Sequence, residues 1–196
     1  MKKLSGEGKT TPPSSPPREL LENLVLMRFF ERGTTTRGQS PFELDAARSA
    51  YQKHVDLVAP QLPPPLLSLA RGHLNLQEAS VRLCTLDEKR DQLRLVLRLH
   101  AGDAEQTVEL VYDGVDPEAL DVAALASVAS DARTELLYDE VDVLDNGAYA
   151  HRVLFGRRSE SGGDRELELR FTRFQVRPPP SLLTPAEPAS RFVHLR

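Results

Sequence analysis

Leu93, Leu95, Leu97 and Leu99 alternate with Arg94, Val96 and Arg98, and this pattern constrains the chain more than any other feature. Leucine favours helices, but a helix would scatter these four side chains around its circumference. A strand places all of them on one face. The same period of two begins near residue 77, where Ala79, Val81, Leu83 and Thr85 alternate with Ser80, Arg82 and Cys84. It returns over Thr107–Tyr112, Thr134–Leu144, Tyr149–Arg157 and Glu166–Val176. Turn chemistry separates these runs at Asp87–Asp91, Gly102-Asp103, Asp145-Asn146-Gly147 and Ser159–Asp164. Gaps of hairpin length imply antiparallel neighbours. A helix capped by Asp116, with a break near Asp121, is predicted to run to Ser130 between the third and fourth strands. The expected class is α+β: a largely antiparallel six-stranded sheet in the order β-β-β-α-β-β-β, preceded by a helical region.

That region has its own signals. Leu20, Leu21, Leu24, Val25, Phe29 and Phe30 recur at helical spacing and predict a helix over Arg18–Glu31. Ser40, Pro41 and Glu43 form a capping box for a second helix reaching Val58, with Phe42, Ala46, Ala50, Tyr51, Val55 and Val58 as its apolar stripe. Pro60 ends it, and a short helix follows over Leu66–Arg71, closed by Gly72. The chain thus divides into a Pro/Gly/Ser-rich disordered arm (1–17), a helical region (18–72), an antiparallel α+β domain (73–177) and a flexible tail (178–196).

Several functions are disfavoured. The longest apolar stretch, Leu20–Phe30, is broken by Glu22, Asn23 and Arg28 and falls short of the roughly 20 residues a membrane span needs. No apolar segment follows Met1-Lys2-Lys3, so no secretory signal is expected and the cytoplasm is the expected compartment. The single cysteine, Cys84, permits neither an internal disulfide nor a cysteine-based zinc site. It is expected to pack as a small apolar strand residue. His54, His73, His100, His151 and His194 lack ligand spacing, so neither a metal nor a cofactor is expected. Phosphate-loop, dinucleotide, nucleophile-elbow and zincin motifs are absent from the sequence.

Net charge is −4, but its distribution is uneven. Residues 101–145 hold thirteen acids and one base, Arg133, whereas residues 146–177 hold seven arginines and four acids. A nucleic-acid partner is disfavoured, and the acidic stretch suits a basic protein partner.

One constellation could carry chemistry: Tyr138, Glu140 and Asp142, followed by Tyr149 and His151. A two-residue type I′ turn at Asn146-Gly147 pairs Leu144 with Tyr149, Asp142 with His151 and Glu140 with Val153. All five candidates then share a face, and the carboxylates would orient His151 as a general base. The alternative is a sheet surface bearing opposite charges.

The stretch Leu137-Tyr138-Asp139-Glu140-Val141, then Gly147-Ala148-Tyr149-Ala150-His151, resembles a hairpin of uncharacterised bacterial proteins that also end in a strand like Leu167–Phe174. The resemblance covers residues 73–177 and implies a domain boundary near 73. Those proteins often carry Leu-His-Asp where this chain has Leu76-Gln77-Glu78. It implies no activity. The leading expectation is a non-enzymatic protein-binding or accessory module, of immunity type for example. The alternatives are a small hydrolase using the His/carboxylate pair, and a structural protein that oligomerises through its helices.

Overall fold

The computed structural model describes residues 27–30, 41–101, 104–131, 133–157, 164–177 and 193–194. The fold is α+β with an antiparallel sheet. Helix α1 (Pro41–Val58) leads through a 3-10 turn (Ala59–Gln61) to α2 (Pro64–Ala70). Strands β1 (Ser80–Asp87), β2 (Gln92–Ala101) and β3 (Ala104–Asp113) follow, then α3 (Val122–Ser130). The chain continues through β4 (Glu135–Val143), β5 (Tyr149–Gly156), β6 (Arg165–Phe171), β7 (Arg173–Arg177) and the two-residue β8 (Val193–His194). Helix α2 ends in a Schellman arrangement: His73 N donates to Ser68 O at 3.0 Å, Gly72 N to Leu69 O at 2.8 Å, and Gly72 takes a φ of 70°.

The strand order is β6-β5-β4-β1-β2-β3-β7, with β8 on β1. Strands β6 and β7 are therefore the two ends of the path, yet Thr172 alone separates them in sequence. The run expected as one sixth strand is bent at that residue. Its first half pairs with β5 and its second with β3, so the sheet closes into a barrel. Thr172 N donates to Asp113 O at 3.0 Å, and Asp116 N to Arg170 O at 2.9 Å, stitching the bend on both sides. Gly114, at a φ of 64°, has no room for a Cβ because Thr172 occupies that space.

Closure is uneven. Strand β4 meets β1 only at Ser80–Glu135 and through the flanking bonds Glu78 N to Leu136 O and Leu136 N to Ala79 O, at 2.7 and 2.8 Å. Beyond that point the two strands splay apart. Tyr51 of α1 takes over there, its hydroxyl accepting from Val141 N at 2.8 Å.

Along β2 and β3 every second residue points inward, whereas bulges near Arg82 in β1 and Leu137 in β4 shift the pattern by one, so that Cys84 and Leu86, not Leu83, follow Val81 into the core. Leu93, Leu95 and Leu97 meet Val108, Leu110 and Tyr112 across one side, and Val153, Phe155, Leu167, Leu169 and Phe171 across the other. Val55 of α1 and Leu66 and Leu69 of α2 belong to the same cluster, so the helical region and the sheet share one core.

Four local expectations need correction. Met27–Phe30, the described end of the expected first helix, are bends; the rest of Arg18–Glu31 lies outside the described residues, as do the 1–17 arm, the Ser40 cap and the Gly102-Asp103 turn. On α1 the buried side is Leu44, Ala47, Tyr51, His54, Val55 and Val58, whereas Phe42 is 79% exposed and Ala46 and Ala50 are exposed too. The helix after β3 is capped by Asp121, whose Oδ1 accepts from Ala124 N at 2.8 Å; Asp116 instead turns the chain by accepting from Glu118 N. Within the tail, Val193–His194 pair with Leu86 and Thr85.

The β4–β5 register is the fourth correction, and it decides the site. Val143 faces Tyr149, Asp142 faces Ala150, Val141 faces His151 and Glu140 faces Arg152, one step from the expected pairing. The turn has three residues. Gly147 N donates to Leu144 O, Leu144 N donates to Ala148 O, and Gly147 adopts a φ of 79° while Asn146 is not at positive φ. That is a type I turn followed by a bulge glycine, whereas type I′ needs positive φ at both central residues. The hydrophobic set favours this choice: it puts Val141 and Val143 on the same wall as Val153 and Phe155, inside the barrel.

Candidate functional site

The shifted register splits the five candidate residues between the two faces of the sheet. His151 and Tyr149 point inward, while Tyr138, Glu140 and Asp142 point outward. Each group then acquires partners that the sequence reading did not assign.

Inside, His151 is fully buried between two polar groups. The Tyr112 hydroxyl lies 2.8 Å from Nδ1, and Asp139 Oδ2 lies 3.3 Å from Nε2. Burial, reinforced by the negative charge of Asp139, pushes the Tyr112 phenol well above its ordinary pKa, so it keeps its proton. In the tautomer that carries its proton on Nε2, Nδ1 accepts from the phenol and Nε2–H donates to Asp139. Asp139 stands at the splayed seam. It lines a cleft of about 160 Å³ shared with Phe30, Arg48, Tyr51, Leu69 and Tyr138. The result is a carboxylate–imidazole–phenol line whose carboxylate end alone borders this cleft. His151 and Tyr112 are both 0% exposed, so neither can touch a substrate directly. Tyr149 is half-buried beside Phe171, with its hydroxyl donating to Gln61 O at 3.4 Å.

Outside, Glu140 and Asp142 sit under a cover made by α1 and Met27–Phe30. One carboxylate oxygen of Glu140 accepts from Phe29 N and Phe30 N at 2.6 and 2.8 Å, and the other accepts from Arg28 N at 2.9 Å. Three successive amides thus converge on one side chain, with Glu140 itself only 1% exposed. Asp142 Oδ2 accepts from Arg28 Nη1 at 2.6 Å and Arg152 Nη1 at 3.2 Å. Its Oδ1 accepts from Val143 N at 2.9 Å and from His54 Nε2 at 3.0 Å. Burial alone would raise the Asp142 pKa, but the hydrogen bonds from Arg28 and Arg152 outweigh it and hold the carboxyl below its ordinary value. Arg152 continues the network, donating from Nε to Glu168 at 2.7 Å, and Glu168 accepts from Arg170 at 2.6 Å.

Aromatic rings complete the cover. Phe30 stacks on Tyr138 at 5.0 Å between centroids, and Phe29 lies 5.5 Å from Tyr51 and 5.3 Å from His54. Met27, Phe30 and Leu154 form a second apolar cluster, separate from the barrel core.

Part of the charge asymmetry along the sequence cancels in space. Asp142 meets Arg152, Asp131 meets Arg157, and Asp113 lies 3.9 Å from Arg173, each pairing an acid of the 101–145 stretch with an arginine of the 146–177 stretch. Glu109, a further acid of that stretch, is paired with Arg94. The acidic run is thus in good part internal wiring between strands.

Cys84 is 1% exposed, and burial pushes its thiol up to about 12. Nucleophilic attack requires the thiolate. A thiol reagent such as DTNB is therefore expected to leave native protein unlabelled and to react with one equivalent only in denaturant. Fast labelling of the native protein would contradict this packing.

Tyr112, Asp139, His54, Arg28, Tyr51 and Arg152 were not among the five candidate site residues read from the sequence. For Asp139 and Arg152 the turn chemistry was the available signal, because a three-residue reading of Asp145-Asn146-Gly147 brings Asp139 and His151 to one face and Arg152 to the other. The other four come from elements distant in sequence. Compared with protein-family models, with curated proteins and with solved structures, the chain matches none.

Proposed function

We propose that this chain is a non-enzymatic protein-binding module of the bacterial cytoplasm, taking a partner of basic character. One observation supports it above the others: the imidazole and the outward carboxylates that a hydrolytic site would combine stand on opposite faces of one sheet, each already hydrogen-bonded to other groups. Among the described residues, a nucleophile, a base and a binding cavity do not converge on them. No helix among the described residues is long and apolar enough to cross a membrane, which agrees with this reading. Kinship with the uncharacterised bacterial proteins whose hairpin this one resembles belongs to the same proposal, and would make the function an accessory one.

The test sets binding against hydrolysis. Immobilised full-length protein should retain a discrete basic protein from its native lysate at low ionic strength and release it as salt rises. The purified protein should show no turnover on ester and phosphoester panels. Hydrolysis that disappears in His151→Asn or Asp139→Asn would overturn the proposal in favour of an enzyme working through the cleft beside Asp139.

A further inference from the structure

Met27–Phe30 are held in the manner of a bound peptide. Residues 28–30 direct their three amides to a side chain 110 to 112 positions away, not to a strand or a helix. Arg28 places its guanidinium on Asp142 and over the Phe29 ring, at 5.9 Å from the ring centroid. Met27 and Phe30 are the buried anchors, at 2% and 5% exposure. A fully desolvated anchor flanked by an arginine is the usual energetic centre of a protein interface.

Two of the receiving groups, Asp142 and Tyr51, have partners besides the segment. Glu140 and Asp142 ride on β4, locked by its ladder to β5. Arg152, His54 and the Val143 amide position Asp142, and the Val141 amide positions Tyr51. A pocket whose donors, acceptors and rings are already oriented loses little conformational freedom when it is filled.

We propose that the Glu140/Asp142/Tyr51/Tyr138 pocket is the recognition site for a short bent segment of a partner protein carrying arginine followed by two aromatic residues, and that Met27–Phe30 occupies it in cis until displaced. This rests on the protein-binding reading and names the partner's chemistry. Glu140 recognises three consecutive amides and therefore rejects proline at any of these positions. Asp142 selects the guanidinium, and Tyr51 and Tyr138 select rings. The tethered segment competes at high effective concentration, so an outside peptide binds weakly until the latch is emptied.

The probe is a fluorescein-labelled peptide with the sequence of residues 22–33, titrated at low salt into full-length wild type and into Arg28→Ala/Phe30→Ala. Anisotropy should report binding to the emptied variant roughly tenfold or more tighter than to wild type. Adding Glu140→Gln to the emptied variant, or placing proline in the peptide at the position of Phe29, should weaken it by a similar factor. Equal affinity for wild type and emptied protein, or indifference to Glu140→Gln and to proline, would overturn the proposal. If the emptied variant does not fold, isotope-labelled wild type with excess unlabelled peptide gives the answer: the Phe29 and Phe30 amide resonances move to random-coil positions on displacement, and their failure to move sinks it. A salt-sensitive partner captured equally by wild type and the Glu140→Gln protein would leave the protein-binding reading standing and remove this pocket from it.

Discussion

Replacing Arg152 by Met is expected to destabilise the fold by about 3 kcal/mol or more, because it removes the central cation from a buried network and leaves its partners in place. Arg152 is 8% exposed and bridges Asp142 and Glu168. Asp142 keeps Arg28 and His54, but among the described residues Glu168 keeps only Arg170, whose own side chain is 46% exposed. A carboxylate left with a single partner that is itself half exposed has much less compensation for its desolvation cost. Chemical denaturation at neutral pH should show a lower midpoint at unchanged slope. Adding Glu168→Gln to Arg152→Met should recover part of the loss, since the stranded charge goes with it. A single substitution costing under about 1 kcal/mol would mean that water already reaches this network.

The pH dependence of that difference follows from Asp142. Its folded-state pKa lies below the ordinary value of about 3.9, despite burial, because Arg28 and Arg152 hydrogen-bond its charged form. Stabilisation from a depressed carboxylate is complete above the unfolded-state pKa and is lost as pH falls through the folded-state one. The gap between wild type and Arg152→Met should therefore be level around neutrality, narrow as pH falls through the Asp142 pKa of the variant, which loss of the Arg152 hydrogen bond raises above its wild-type position, and stop narrowing below the wild-type pKa.

Sequence periodicity reached the fold because β2 and β3 alternate without a break, although β1 and β4 each carry a bulge. Leu93, Leu95 and Leu97 face one interior, and no other arrangement buries them together. The bend at Thr172 did leave a mark in the sequence, a slip of the apolar period from Leu169 and Phe171 to Phe174 and Val176, which a single continuous sixth strand passes over. The site was less legible for a sharper reason. Asp145-Asn146-Gly147 supports either a two-residue or a three-residue turn, and the difference of one residue moves every β5 side chain to the opposite face. What separates the alternatives is burial of Val141 and Val143 beside Val153 and Phe155, which is a tertiary fact. The inner side of α1 was misread for a related reason. Its stripe of Phe42, Ala46 and Ala50 is apolar, but the wall it packs against carries Glu140 and Asp142, so Tyr51 and His54, with apolar bodies and polar tips, go inward instead.

Barrel closure makes a prediction about Phe171 that an open sheet would not. Phe171 is the last residue of β6 before the bend, 1% exposed, with ring centroids 5.0 Å from Tyr112, 5.9 Å from Tyr149 and 6.0 Å from Phe174. Those three rings come from β3, β5 and β7, so one side chain packs both flanks of the closing strand. Phe171→Ala should cost about 3–5 kcal/mol, the usual penalty for emptying an aromatic core position. In an open sheet the added amide exchange would be confined to β6 and its neighbour β5. In the closed barrel, loss of Phe171 also loosens the Thr172 amide on Asp113 and the β3–β7 pairing beyond it. Hydrogen exchange should therefore accelerate together in β5 and in the Glu109–Asp113 end of β3, strands that share no ladder. Faster exchange in β5 with β3 unchanged would show that the bend at Thr172 does not couple the two edges, and that the sheet behaves as an open one.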